Sequence, residues 1–432
     1  MNERNRGSFC GIMDYQLFLE GTNMPRNYPI VTVTPKGEKM LRGGHVWVYA
    51  DEVTDLSSPL ENGETVDVRS SKGRYLGTGF YNANSKIRVR VVSKNANDRF
   101  DDAFWERKLR WTLEYRRTVM GKDDFSCCRL VFGEADAFPG FTVDRFGDIL
   151  VTQVLSLGIE RIKEKLYAML VRILREELGQ TISALYERND VAIRALEGME
   201  QYTAFWHGEG LLTDLNGKTE ITENGVTYEV DYINGQKTGF FLDQKYNRNA
   251  IRRIANGRRV LDCFTHTGSF GLNAAAGGAT HVTSVDISAD AIALAKENAT
   301  RNGLSDRMDF VCTDVFDLLT EMADRGKCDY DFIILDPPAF TKSRDTLKNA
   351  IKGYKEINLK AMKLLPRGGY LATCSCSHFM TETYFKQMLH NAAEDAGVGL
   401  RQIEARQQSP DHPILWNVPE TDYLKFFIFQ IV

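Results

Sequence analysis

The sequence predicts a multidomain α/β protein with a small N-terminal β-barrel, a central α/β unit and a C-terminal doubly wound sheet. Three observations carry this. The chain has 432 residues, more than one ordinary domain holds. Residues 30 to 97 contain short strand-like runs broken by Gly and Asn turns. From about residue 250, apolar strand runs alternate with helical stretches. Composition is that of a folded globular protein, 43% hydrophobic and 26% charged.

The elements follow in order. Residues 1–28 have no apolar stretch long enough for a secretory signal. They read as a poorly ordered leader, with Met24 as an alternative start. Within 29–97, "IVTVTP", "HVWVYADEV", "ETVDVRSS", "YLGTGFYN" and "KIRVRVVS" are the barrel strands. Residues 98–202 form the central unit. It opens with the helical period of "FDDAFWERKLRWTLEYRRTVM". Strand-like "GFTVDRFGDILVTQVL", the helix "IERIKEKLYAMLVRILREELG" and strand-like "TISALYER" follow. Residues 203–432 begin with a hairpin turning at Asn224-Gly225. The sheet strands are then "RVLDCF", "HVTSVDI", "MDFVCTD", "YDFIILDPP", "GYLATCSC" and "LKFFIFQIV".

No apolar run approaches the roughly 20 residues needed to cross a bilayer. Eight cysteines without disulfide-scaffold spacing favour a reducing cytoplasm. A net charge of −4 argues against bulk attraction to nucleic acid but leaves room for a local basic face. "NSKIRVRVVSKN" offers one, since Arg88 and Arg90 alternate with Val89 and Val91. Such a strand is either a solvated face or a track for phosphates.

In doubly wound sheets, ligands bind beyond the carboxyl ends of the strands. The first strand runs into "VLDCFTHTGSFGLNAA", where Gly268 and Gly271 let backbone approach a ligand. Their spacing is not that of a dinucleotide cradle. Asp286 ends "TSVDI", placed to accept both hydroxyls of a ribose. Asp314 ends "VCTD", placed to accept from an adenine amino group. With Asp262 they make three carboxylates in register. An adenosine without a diphosphate fits this set, and S-adenosylmethionine is the common ligand of that kind. The competing reading makes each Asp a helix cap.

The fourth strand exits through Asp336-Pro337-Pro338, a rigid turn without donors from the prolines. It can present a carboxylate and carbonyls to the edge of a flat base, or serve as a structural turn. The fifth ends in "YLATCSCSHF". A disulfide between Cys374 and Cys376, two residues apart, would be strained. A zinc clip through both and His378 lacks the usual spacing and a fourth ligand. Buried core thiol and nucleophile remain.

"TGFFLDQKYNR", "VLDCFTHTGSFGLNAA", "DPPAFTKSR" and "CSCSHFM", in this order behind a barrel, resemble the bacterial large-subunit ribosomal RNA cytosine-5 methyltransferases. The resemblance runs from about residue 30 to the end. It implies a PUA barrel, a central α/β domain and a Rossmann-like class I methyltransferase domain. It implies ribosomal RNA as partner and S-adenosylmethionine as cofactor, with no metal and no membrane, and it allows a homodimer. It makes "FFLDQ", with Gln244, a segment flanking the cofactor, and adds Phe264 to the cofactor set. In that chemistry a thiolate adds to carbon 6 of cytosine, and carbon 5 then becomes nucleophilic. The resemblance places the nucleophile in the loop past the fifth strand, at Cys376. Asp336 then polarises the ring, and Pro337 and Pro338 border the base. The sequence locates neither the group that activates the thiol nor the base that removes the carbon 5 proton. Two other readings compete: a guanine methyltransferase without thiol chemistry, and a non-catalytic RNA-binding or ribosome-assembly factor.

Overall fold

The computed structural model describes residues 27–432, apart from 327 and 342. The predicted leader lies almost wholly outside the described residues. The first unit is a six-stranded sheet in the order Trp47–Tyr49, Ile87–Ser93, Tyr75–Tyr81, Thr65–Ser70, Ile30–Val33, Val53–Leu56. Its two end strands are joined by the 3-10 turn Ala50–Glu52, so the sheet must curl until its edges meet. Val31, Val33, Val48, Val66, Val68, Val89 and Val91 fill the interior. The helix Pro35–Arg42, not anticipated from the strand pattern, starts where the Thr34 side chain accepts from Gly37 N and Pro35 sets the first turn.

The central unit is a five-stranded sheet in the order Tyr202–Phe205, Ala184–Asn189, Ile149–Val154, Phe141–Phe146, Cys127–Phe132. The helices Asp102–Val119 and Lys163–Arg172 contribute Trp105, Leu109, Leu113, Leu166 and Leu170 to its core. Tyr202–Phe205 pairs with Ala184–Asn189, so the boundary expected at residue 202 cuts a strand and the unit extends past it.

The hairpin Lys218–Glu223 and Val226–Asp231 precedes the third unit. Its seven-stranded sheet has the order Met308–Cys312, His281–Asp286, Arg259–Cys263, Phe332–Leu335, Tyr370–Ser375, Lys425–Ile431, Leu400–Arg406. The first five strands are parallel, while Lys425–Ile431 runs antiparallel to both neighbours. The strand order reverses between Arg259–Cys263 and Phe332–Leu335, which makes the crevice beyond those two strands the ligand position.

One continuous core joins the central sheet, the hairpin and this sheet through Val151, Tyr186, Tyr228, Val260, Ala372 and Phe426. Buried charges cross the same boundary. Arg116 pairs with Asp136 at 2.6 Å and donates to Asp411 O at 2.9 Å. Arg129 pairs with Asp144 at 2.7 Å, and Thr238 donates to the same carboxylate.

"KIRVRVVS" is neither a wholly solvated face nor, at Arg90, an open track for phosphates. Arg90 is 9% exposed and pairs with Glu134 at 2.9 Å and Glu197 at 3.0 Å, both on the central unit. Arg88 donates to the carbonyls of Asn82 and Ala83. The strand's second face carries the central unit, so Arg90 is a tether rather than a wet cation. A basic cleft lies elsewhere on this unit. Lys39, Arg42, Lys72 and Arg74 line a cleft of about 750 Å³ beside Glu38. Among the described residues no helix is long and apolar enough to cross a membrane.

Candidate active site

The site is built on the carboxyl ends of the sheet's central strands. After Arg259–Cys263 the chain takes left-handed backbone at Phe264 (φ 62°), His266 (φ 49°) and Gly268 (φ 81°). Non-glycine residues in that region are strained, and such strain gathers at ligand sites. Thr265 N to Val285 O, at 2.9 Å, fastens the loop to the next strand.

Asp262 is fully buried beneath this loop. Its Oδ2 accepts from Gly271 N at 2.8 Å and from the Thr265 hydroxyl. Among the described residues its Oδ1 is buried without a partner, as is Thr267 Oγ1. Burial pushes the Asp262 carboxyl up to about 7. Gly271 was expected to make room for a ligand, but it makes room for the sheet. A Cβ there would clash with Ser284 Oγ and lie 2.9 Å from Asp262 Oδ2.

Asp286 accepts from His266 N through Oδ2 and from Ser288 N through Oδ1, each at 2.9 Å. Each oxygen keeps a lone pair, and the two backbone donors fix the carboxylate's direction. Asp314 caps the helix Val315–Arg325, accepting from Phe316 N at 2.7 Å through Oδ1. The capping alternative is therefore realised for Asp314, and its second oxygen is not used by the cap. Ile287, 69% exposed directly after Asp286, was not singled out in the sequence. Phe264 meets Phe316 edge-on at 6.5 Å. A fixed carboxylate, an exposed apolar side chain and orphaned buried acceptors suit S-adenosylmethionine's diol, base and ammonium respectively.

The second half of the site lies across the reversal point. Asp336 Oδ1 accepts from Gln244 Nε2 at 3.1 Å and from the Cys374 thiol at 2.9 Å. Burial pushes the Asp336 carboxyl up to about 6, and neighbouring Asp243 adds to the rise. Pro337 is buried and Pro338 exposed. Gln244 thus touches Asp336, not the Asp262–Asp286 loop, among the described residues.

The two thiols differ. Cys374 is the fifth residue of Tyr370–Ser375 and fully buried, and its sulfur also lies 3.3 Å from Leu335 O. Burial, with Asp336 beside it, holds that thiol protonated well above its ordinary range. Cys376 is the first residue past the strand and half-buried. Burial and Asp336 push its thiol up to about 11, and Lys237 is the cation that opposes them. Lys237 itself sits in left-handed backbone (φ 54°), its Nζ 4.8 Å from the Phe241 ring centre. Beside these lie Tyr423, which donates to Asp243 at 2.6 Å, and Lys425, which donates to Ser377 O at 2.6 Å.

Asp262, Phe264, Gly268, Asp286 and Asp314 thus gather at one end of the crevice, and Gln244, Asp336, Pro337, Pro338 and Cys376 at the other. Arg88 and Arg90 belong to neither. Sequence reasoning passed over Asp243, Lys237 and Tyr423, although Asp243 is the neighbour of Gln244 in "FFLDQ".

Residues 163–429 match the family described as S-adenosylmethionine-dependent methyltransferase, and residues 31–94 match a PUA-like domain. A protein of Klebsiella pneumoniae named Ribosomal RNA large subunit methyltransferase I is 38% identical over 94% of this chain and 99% of its own. Its namesake in Pseudoalteromonas translucida is 40% identical over 91% and 97%. A solved structure from Streptococcus mutans, assigned to the SAM-dependent methyltransferases, shares the fold with a TM-score of 0.76. It is 24% identical and covers 93% of this chain and 99% of its own.

Proposed function

The chain belongs to the S-adenosylmethionine-dependent methyltransferase family, and from that premise we propose that it forms 5-methylcytosine in large-subunit ribosomal RNA through a covalent adduct on Cys376. The observation that carries this reading is the unequal pair of thiols at one strand end. Cys374 is buried and spent on Asp336, while Cys376 stands half-buried just beyond it. The names of the relatives in Klebsiella and Pseudoalteromonas support ribosomal RNA as substrate.

Asp262, Phe264, Gly268, Asp286 and Asp314 would hold the cofactor. When bound, S-adenosylmethionine supplies an electrophilic methyl group on a sulfonium. Cytosine must be single-stranded or turned out of its helix to reach Cys376. Its carbon 5 is a poor nucleophile until sulfur adds at carbon 6. That addition drives electron density toward N3. Asp336, raised by burial to about 6, holds a proton there more readily than an exposed carboxyl and can share it with N3. Cys374 and Gln244, both bound to Oδ1, aim the carboxyl. Lys237 favours the Cys376 thiolate electrostatically. The cleft of Lys39, Arg42, Lys72 and Arg74 supplies cations for the RNA backbone.

The test is methyl transfer to ribosomal RNA, followed by mass spectrometry of its nucleosides. Wild type yields 5-methylcytidine. Cys376→Ala lowers the yield about 10³-fold or more while still binding cofactor, because the nucleophile is gone. Cys374→Ala stays within about tenfold of wild type, since one thiol hydrogen bond is worth about 1 kcal/mol. Methylguanosine in place of 5-methylcytidine would overturn the reading in favour of a guanine methyltransferase.

A further inference from the structure

We propose that Asp243 is the proton acceptor that releases the methylated base, a role that rests on the cysteine-adduct reading above.

The geometry is specific. Asp243 lies in the 3-10 turn Leu242–Gln244 and is 6% exposed. Its Oδ2 accepts the Tyr423 hydroxyl at 2.6 Å. Its Oδ1 is buried with no partner among the described residues. A buried carboxylate oxygen left without a donor is costly, and such atoms mark ligand or catalytic positions. The turn is anchored by backbone and side-chain bonds. Ser409 N donates to Asp243 O at 2.8 Å. Gln244, the next residue, reaches Asp336 at 3.1 Å and Cys374 Sγ at 3.5 Å.

Two carboxylates act on the Cys376 thiol, Asp336 and Asp243. Asp336 has Oδ1 shared by Gln244 and Cys374 and is engaged with the pyrimidine edge. A second carboxylate with a free oxygen is what the release step lacks. Burial alone would raise the Asp243 carboxyl. His412, Lys237, the Tyr423 hydroxyl and Arg129 outweigh it and hold the carboxyl below the ordinary carboxylate range. Asp336 and Asp243 therefore differ in the way an acid and a base differ.

The step balances without any further reagent. After methylation, carbon 5 bears a methyl group and a proton, and carbon 6 bears the Cys376 sulfur. Asp243 takes the carbon 5 proton. The electron pair of that bond forms the carbon 5–carbon 6 double bond. The carbon–sulfur bond breaks, and its pair leaves on Cys376 as thiolate. Asp243 then returns its proton to solvent.

The experiment uses the full protein and ribosomal RNA carrying tritium at carbon 5 of cytosine, with Asp243→Asn beside wild type. Cofactor affinity is the check on folding. In wild type, tritium release and methyl attachment match. In Asp243→Asn, methyl attachment stops near one per enzyme and tritium release slows about 10²–10⁴-fold. A denaturation-stable enzyme–RNA complex accumulates on ordinary cytosine. If Asp243→Asn releases tritium at the wild-type rate, or loses methyl transfer without accumulating that complex, the proposal is overturned. If Asp243→Asn does not bind cofactor, Asp243→Glu takes its place. There the carboxylate is kept but displaced, so release falls about tenfold behind methylation, whereas equal rates overturn the assignment. Failure of the underlying reading looks different, because wild type itself would then form no adduct on 5-fluorocytosine RNA.

Discussion

Cys374 and Cys376 are two residues apart yet face different surroundings, and the site's chemistry divides along that line. Cys374 points into the sheet and spends its thiol hydrogen on Asp336. Cys376 has left the strand. The carboxyls beside them give the protein a pH signature. Burial raises Asp336 to about 6 and Asp262 to about 7, both above the value a carboxyl has in an unfolded chain. A carboxyl raised on folding stabilises the folded state most below its unfolded pKa, and that contribution disappears as pH rises through the folded value. Without cofactor, stability should therefore fall as pH climbs from about 4 to about 7, and Asp262→Asn should flatten the slope. Denaturant unfolding at stepped pH measures it, and a slope unchanged in Asp262→Asn contradicts the assignment. At this scale the sequence marked the strand-end carboxylates, since topology alone puts strand ends at the ligand. It did not mark Asp243, Lys237 or Tyr423, which reach the site from a turn and a late loop.

The strand Ile87–Ser93 and the helix Pro35–Arg42 divide the N-terminal unit's basic residues between two tasks. Alternation along the strand was legible, but it does not say what covers each face. Glu134 and Glu197, far off in sequence, claim Arg90. Arg90→Ala should leave buried Glu197 and half-buried Glu134 without their cation and cost about 3–5 kcal/mol of stability. Neutralising Lys72 and Arg74 at the cleft should leave stability unchanged, weaken RNA binding and lower its salt dependence by about two counterions' worth. Thermal unfolding and a salt titration of RNA affinity separate the two. Equal losses of RNA affinity at unchanged stability for both would contradict the division. Gly271 teaches the same lesson. Its spacing suggested a ligand cradle, whereas its missing Cβ accommodates Ser284 of the adjacent strand.

Across the whole molecule, the central unit and the third sheet share one core, and Arg90 and His45 tie the N-terminal unit to them. The strand and helix alternation after residue 250 was enough to predict the doubly wound sheet, because period and turn residues are local signals. Contacts that lock the units together were not readable, because their partners are remote. Arg116 reaches Asp411 across 295 positions, and Gln244 reaches Cys374 across 130. The same remoteness hid the link from the crevice to the N-terminal unit, where His45 meets Glu420 at 3.4 Å. Glu420 and Tyr423 lie three residues apart, so one loop contacts both the PUA-like unit and Asp243. In the proposed reaction a thiol of this crevice bonds to cytosine. The most direct measurement is incubation of the wild-type protein and cofactor with ribosomal RNA containing 5-fluorocytosine, then denaturing electrophoresis and peptide mapping. The expected result is a stable protein–RNA adduct whose cross-linked peptide carries the modification on Cys376. An adduct on Cys374, or methylation proceeding with no adduct at all, would contradict it.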